Sequence, residues 1–444
     1  MIYAFLKFVF KYAIRKYFSS IEVMHLDRIP TDKPVLLLPN HRSAFMDPIV
    51  VSCHVKQHSY FLVRGESFRN PTMIKIFKRL KMIPIFRKEY DPDKVQENEK
   101  IFEHCFELLE NKGTLMIFPE GLCQTKHLLS PIKPGTARIA LGAESKNGFN
   151  LDLHIIPIGI NYTNPHRFRS KLTLNIGEPI LLKSLKDDYI EDPWKCVQTL
   201  TSKVSERLSK LIITIDEQEE AKTIDQMELL LKSGNDHQLT INSQDWVTTK
   251  QTIIANLASM KKTKPLIYSN LKERLNRFTQ QSHRLHITKS NAESLPASKR
   301  VWVLAVKLIV GFPFFIIGFA LHFIPFLITK HSTKKIVKRV DFMGSAVLAL
   351  GSAVFVLNAA GLCWLCQNLF GNTWITLSFF ILLPNLGLWA YAYLKLLREW
   401  RETLGWMRLG KRNHGLQSYF KQERKSLLKI YSSFMEETTQ QAQL

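Results

Sequence analysis

Cysteine is scarce in this chain. Six are spread over 444 residues, at positions 53, 105, 123, 196, 363 and 366, and none pairs with histidine at a zinc-ligand spacing, which removes a structural zinc site. The one Cys-x-x-Cys, Cys363 and Cys366, lies inside an apolar run and reads as small apolar packing. Acidic residues are also few: 38 Asp+Glu against 61 Lys+Arg, or 61 − 38 = +23. An excess of that size favours an anionic partner, such as nucleic acid, an anionic membrane surface, or a phosphorylated or thioester substrate. Many of the basic residues flank apolar stretches, the pattern of a membrane face rather than a nucleic-acid groove. There is no Gly-x-Ser-x-Gly, so the nucleophile elbow of lipid hydrolases is missing. The apolar N-terminus is interrupted by Lys7, Lys11, Arg15 and Lys16 and lacks a small-residue cleavage site. No secretory signal is expected there, and the main domain is expected in the cytoplasm.

What is abundant is apolar material: 45% hydrophobic residues, 28 of them Phe, enough for a core. Residues 1–18 place Lys7, Lys11 and Arg15 at i, i+4 and i+8 on an otherwise aromatic and aliphatic helix, an amphipathic interfacial element. Residues 19–215 alternate apolar strands with amphipathic segments. Strands are predicted at Val35–Leu38, Tyr60–Val63, Thr114–Phe118, His154–Ile160 and Leu172–Ile176. Helices are predicted at Pro48–Val55, Thr72–Leu80, Asp93–Asn111 and Thr136–Ser145, with a closing helix over 190–215. That alternation is α/β. Residues 216–300 are polar, open with Asp216, Glu217, Glu219 and Glu220, and read as a helical insert or connector. Residues 301–396 form a membrane region with three apolar runs, 308–329, 342–366 and 374–394, each long enough to span a bilayer. A charged tail, 397–444, follows.

Charge also predicts topology. Lys330, Lys334, Lys335, Lys338 and Arg339 separate the first run from the second, and Lys395, Arg398 and Arg401 follow the third. The loop between the second and third runs is uncharged. Those two runs are therefore expected to form a hairpin with its basic ends on the cytoplasmic side. The first run, flanked by basic residues at both ends, is expected to be re-entrant or interfacial, bending at Gly311, Pro313, Gly318 or Pro325.

Four blocks carry candidate chemistry. Asn40-His41-Arg42-Ser43-Ala44-Phe45-Met46-Asp47-Pro48 follows the apolar strand VLLL, where α/β sheets place ligands. An imidazole accepts a proton near neutral pH, and a carboxylate fixes its tautomer. Ile83-Pro84-Ile85-Phe86-Arg87 ends on a guanidinium suited to phosphate. Phe118-Pro119-Glu120-Gly121 presents a carboxylate beside a flexible backbone. Lys133 and Arg138 flank a helix start, a possible anion site. The fourth block, Ile155-Ile156-Pro157-Ile158-Gly159-Ile160, reads as a buried strand.

In this order, over roughly residues 20–185, the blocks resemble the glycerolipid acyltransferase family, which includes glycerol-3-phosphate and lysophosphatidate acyltransferases. The resemblance implies an α/β fold, a mixed sheet flanked by helices, here with the N-terminal amphipathic helix and C-terminal α-helical membrane segments. It implies His41 as catalytic base and Asp47 as its partner. It also implies Arg87, Glu120 and Gly121 at the acceptor, with Lys133 or Arg138 assisting and Pro157 on the donor or packing side. Backbone donors near 41–43 or 120–122 are candidates for the oxyanion. The implied activity moves an acyl group from acyl-CoA or acyl-ACP to a hydroxyl of glycerol 3-phosphate or 1-acylglycerol 3-phosphate, with no metal or cofactor. Membrane phospholipids, the thioester donor and the phosphorylated acceptor are the implied partners. Another lysophospholipid acceptor, a lipid hydrolase and a non-catalytic lipid-binding protein are the rivals. One departure is visible. The common family spacing is His-x4-Asp, whereas this chain has His-x5-Asp, a spacing shared with a minor branch that includes fungal glycerol-3-phosphate acyltransferases. Six residues of regular helix turn about 600° and leave two side chains about 120° apart, so the extra residue must be taken up by a turn.

Overall fold

The computed structural model describes residues 2–68, 70–87, 89–124, 128–215, 218–232, 246–285 and 297–443. The chain forms two compact units, Met1–Thr214 with Ile328–Val354, and Ile215–Leu327 with Phe355–Leu444.

The first unit is built on one sheet of strands β1 (Ser20–Met24), β2 (Val35–Pro39), β3 (Ser59–Arg64), β4 (Met82–Ile85), β5 (Thr114–Met116), β6 (His154–Tyr162) and β7 (Lys171–Ile176), in the order β1-β7-β6-β2-β5-β3-β4. Neighbours run parallel except β6 and β7, so the sheet is mixed, as expected. The five anticipated strands are present, within a few residues of their predicted ends. The two unanticipated ones, β1 and β4, are short edge strands, and β4 carries a proline that an edge tolerates.

The helices are α1 (Ile2–Tyr17), α2 (Met46–His54), α3 (Pro71–Arg79), α4 (Glu97–Glu110), α5 (Gly135–Lys146), α6 (Lys186–Glu191), α7 (Pro193–Leu211), α8 (Gln218–Lys232), α9 (Trp246–Thr263), α10 (Pro265–Arg284), α11 (Ala297–Ile336), α12 (Met343–Phe370), α13 (Thr373–Arg412) and α14 (His414–Gln443). Strand alternation sorts the core of the first unit into two layers. Leu36 and Leu38 face α4, α5 and α7. Val35 and Leu37 face α1 and α2, and Leu348 of α12 joins that second layer.

Helix α1 is more firmly attached than a purely interfacial helix. Ile14, Tyr17 and Phe18 are buried in the second layer. Lys7 turns inward and donates to the carbonyls of Val55, Lys56 and Gln57 at 2.6, 3.3 and 3.4 Å. It thereby satisfies the C-terminal end of α2. Lys7 is thus removed from the expected outward basic stripe, and the outer face of α1 shows Phe5, Phe8 and Tyr12 instead.

In the second unit, α8, α9, α10 and α14 pack together around Met227, Leu257, Leu271 and Leu427. Arg274 grips Glu423 through two hydrogen bonds of 2.9 and 2.7 Å. The polar insert and the charged tail therefore fold as partners. The acidic opening at Asp216 and Glu217 lies outside the described residues. Helices α11, α12 and α13 are each long and apolar enough to cross a membrane. Of the expected re-entrant or interfacial arrangement of the first run, the re-entrant turn is not found: α11 is one unbroken 40-residue helix with Pro313 and Pro325 inside it. Where side chains are apolar and water is absent, backbone groups are too costly to unpair for a turn to form, so a proline yields at most a kink.

One packing detail fixes the edge of the sheet. At the end of β3, a Cβ on Gly65 would lie 2.3 Å from the Phe86 ring. Gly65→Ala should therefore destabilise the protein by about 1–3 kcal/mol through overpacking, read as a lowered thermal midpoint. An unchanged midpoint would show that the ring moves aside freely.

Candidate active site

Parallel strands share their C-terminal ends, and β2, β5, β3 and β4 are consecutive neighbours in the sheet. Their exits deliver His41, Glu120 and Arg87 to one rim. The first block leaves β2 at Pro39 and re-enters helix at Met46. Residues 41–45 therefore form the turn that takes up the extra residue of His-x5-Asp.

That turn closes on Asp47, which is fully buried. His41 Nδ1 lies 2.8 Å from Asp47 Oδ2, and the same oxygen accepts the backbone N–H groups of Arg42 and Ser43, both at 2.7 Å. Oδ1 accepts the Tyr162 hydroxyl at 2.8 Å. A carboxylate opposite Nδ1 requires the proton on that nitrogen, which leaves the Nε2 lone pair to act as base. The ring stacks on Phe118, centroids 4.1 Å apart, which fixes its plane.

Glu120 is also buried. Its Oε1 accepts the His41 N–H at 2.8 Å and its Oε2 the Ser130 N–H at 2.9 Å, so its direct contacts brace the catalytic turn. Gly121 takes a positive φ of 68°, where glycine alone is unstrained. That conformation turns its carbonyl toward Arg87 Nη1, 3.2 Å away. Arg87 also lies 3.9 Å from Glu66 and stacks on Tyr90 at 4.9 Å. Lys133 runs alongside Gly121, its Cγ 3.5 Å from where a Cβ would stand. The structure thus gathers His41, Asp47, Glu120, Gly121, Arg87 and Lys133. Arg138 is not part of that group: it sits on α5 with its guanidinium over the Phe102 ring of α4, 5.3 Å away. The expected oxyanion donors also narrow, because the N–H groups of residues 41, 42 and 43 are taken as described and that of Gly121 bonds to Phe118.

Pro157 pairs with Leu38 inside the sheet, on the packing side. The fourth block has a further task. The Asn40 side chain accepts the Ile160 N–H at 2.6 Å and donates to the Ile160 carbonyl at 3.2 Å, tying the first block to the fourth.

Three contributors escaped the sequence reading. Tyr162 is one, and a phenol ending a buried strand was the available signal, since its hydroxyl needs a partner. Arg42 is another: its buried guanidinium bonds to the Ile213 carbonyl. Burial lowers its pKa to about 10, with Glu120 and Asp47 opposing, so it stays charged at neutral pH. The third is Cys123, whose sulfur lies with ligand atoms of His41 and Asp47 within 4.8 Å of one another. Asp47 already accepts four hydrogen bonds, and burial pushes the Cys123 thiol up.

Residues 20–161 match the acyltransferase family model. Over those residues the chain carries an acyltransferase domain. Glycerol-3-phosphate O-acyltransferase 2 of Saccharomyces cerevisiae is 34% identical over 113 residues, 25% of this chain and 15% of the relative. Glycerol-3-phosphate O-acyltransferase 1 of the same yeast is 33% identical over 122 residues, 27% of this chain and 16% of the relative. An uncharacterized acyltransferase of Schizosaccharomyces pombe is 36% identical over 77 residues, 17% of this chain and 11% of the relative. The chain therefore matches less than a fifth of the length of each of these curated relatives. The solved 1-acyl-sn-glycerophosphate (LPA) acyltransferase of Thermotoga maritima is 20% identical with a TM-score of 0.32. That likeness covers 45% of this chain and 79% of the other, and is too loose to compare side chains.

In this acyltransferase domain Tyr162 is the test of the Asp47 network. Tyr162→Phe leaves Oδ1 buried without a donor and should cost about 1.5–3 kcal/mol of stability. Burial raises the Tyr162 pKa well above its ordinary value, with the Asp47 charge adding. The neutral phenol's contribution is therefore complete below about pH 10 and is lost as pH climbs from there toward the folded-state pKa. Thermal midpoints of wild type and variant should converge in strong alkali. A constant gap would show that the hydroxyl does not titrate with folding.

Proposed function

We propose that the protein is a membrane-bound O-acyltransferase that moves a fatty acyl group from a coenzyme A or acyl-carrier-protein thioester to a hydroxyl of glycerol 3-phosphate. The observation that carries this reading is the His41–Asp47 pair, with its second ring nitrogen open, on the same sheet rim as Arg87. The glycerol-3-phosphate acceptor is favoured by the activity for which the two yeast relatives are named and by the phosphate-binding capacity of a guanidinium in that place.

The chemistry balances without further reactants. The acceptor hydroxyl attacks the thioester carbonyl while His41 Nε2 takes its proton. Asp47 stabilises the imidazolium so formed. Collapse of the tetrahedral intermediate breaks the carbon–sulfur bond, and the proton passes from Nε2 to the departing thiolate. Arg87 holds the acceptor phosphate, with Lys133 beside it. Glu120 acts by holding the turn that carries His41. Helices α11 to α13 keep the domain at the bilayer into which the acylated product partitions, and the exposed Phe5, Phe8 and Tyr12 face of α1 adds an interfacial contact. The active site faces the cytoplasm, the side on which acyl thioesters are made.

His41→Ala should lower the transfer rate by about 10²- to 10⁴-fold with an unchanged thermal midpoint, and near-normal turnover would overturn the mechanism. Arg87→Ala should raise the acceptor KM by about one to two decades and leave the thioester KM in place. A defect on the thioester side alone would move Arg87 to the donor site.

A further inference from the structure

The turn between α11 and α12 lies far in sequence from every block above, yet within the first unit it packs on the catalytic turn. The Met46 N–H donates to Ser345 Oγ at 2.9 Å. The Phe342 ring meets the Phe45 ring edge-on at 5.8 Å, and the Arg339 guanidinium lies over Phe342 at 5.2 Å. Arg339 is held there by Asp341 through bonds of 2.6 and 3.1 Å and remains 56% exposed.

A second guanidinium approaches from the sheet. Arg64 ends β3 opposite Ile85 of β4. Two residues on, Arg87 leaves on the same face, and the contact of Gly65 with Phe86 keeps the two strand ends together. Among the described residues Arg64 has no hydrogen-bond partner, and one amino group of Arg87 is buried without one. The β3–β4 register sets Arg64 beside Arg87, and the stack of Phe45, Phe342 and Arg339 sets Arg339 over the turn that carries His41, on the rim that Arg87 also reaches; burial lowers the Arg64 pKa, with the positive charges of Arg87 and Arg339 adding and Glu66 opposing. Glu66 and Asp341 offset part of this charge, and the donors they leave open suit an added anion.

We propose that Arg339, supplied by the turn between two apolar helices, is a specificity-determining residue of the acceptor site, and that with Arg64 and Arg87 it binds a phosphomonoester dianion. This rests on the acyltransferase reading and adds a part to it. The site is completed by a segment outside residues 20–161, so the stretch shared with the relatives does not contain the whole of it.

The test uses the full chain in detergent, with Arg339→Gln and Arg339→Lys. Titrating glycerol 3-phosphate, Arg339→Gln should raise the acceptor KM by about tenfold, the scale of one charge-assisted contact, with kcat and the acyl-CoA KM within about twofold. Arg339→Lys should recover part of the loss, since it restores the charge without the planar fork. Calorimetric titration with inorganic phosphate, which needs no turnover, should show the same order: wild type, then Lys, then Gln. An unchanged acceptor KM together with unchanged phosphate affinity would overturn the proposal. So would a loss confined to acyl-CoA, which would assign Arg339 to the donor's phosphates. If wild type transfers to no acceptor, the acyltransferase reading fails, and the phosphate titration alone still decides whether Arg339 belongs to an anion site.

Discussion

The buried carboxylate of Asp47 is the point on which the site depends. Ionised and out of contact with water, it would be prohibitively costly without partners. Its four hydrogen bonds supply them: the His41 ring, the Arg42 and Ser43 backbone, and the Tyr162 hydroxyl. Each partner is thereby fixed in turn. The imidazole is held to one tautomer, the turn over residues 41–45 to one path, and β6 to a set depth beside β2. The charged Arg42 guanidinium adds favourable potential at the same place. A carboxylate saturated in this way has nothing left for a substrate, so its work is done through His41.

The sheet supplies the second constraint. Because β2, β5, β3 and β4 are parallel neighbours, blocks separated by dozens of residues end on one rim, and their side chains meet without long loops. Glu120 then joins the first and third blocks through the His41 and Ser130 amides, and Asn40 joins the first and fourth through Ile160. Much of what the blocks hold in common is therefore mutual bracing. Within and beside the blocks, His41, Arg87 and Lys133 present groups suited to a ligand.

Much of this was legible in the chain itself. Short continuous apolar runs marked the five central strands, and strand-end placement marked His41, Asp47 and Arg87. The numerical mismatch of His-x5-Asp already required a turn, and the structure supplies one. Other features were hidden for physical reasons. Edge strand β1 carries a serine and a glutamate and β4 a proline, so neither reads as an uninterrupted apolar strand. Glu120 looks like an exposed turn carboxylate until the amides it serves are located. The partner of Lys7 is a helix end some fifty residues away, and helical spacing alone cannot reveal that. Arg138 has the composition of an anion site, but its helix turns it onto Phe102. Arg339 sat among other basic residues as a topology signal, and only the packing of its neighbours Phe342 and Ser345 against Phe45 and Met46 gives it a chemical setting.

The central claim is that an open imidazole beside a phosphate-binding rim transfers acyl groups to a phosphorylated acceptor. The most direct measurement incubates the purified protein with a labelled acyl thioester and, in parallel, glycerol 3-phosphate, 1-acylglycerol 3-phosphate, glycerol or no acceptor, and follows the label into lipid. The account predicts ester formation that requires the phosphate-bearing acceptor and is highest with glycerol 3-phosphate. Release of free fatty acid at the same rate with and without acceptor would contradict it.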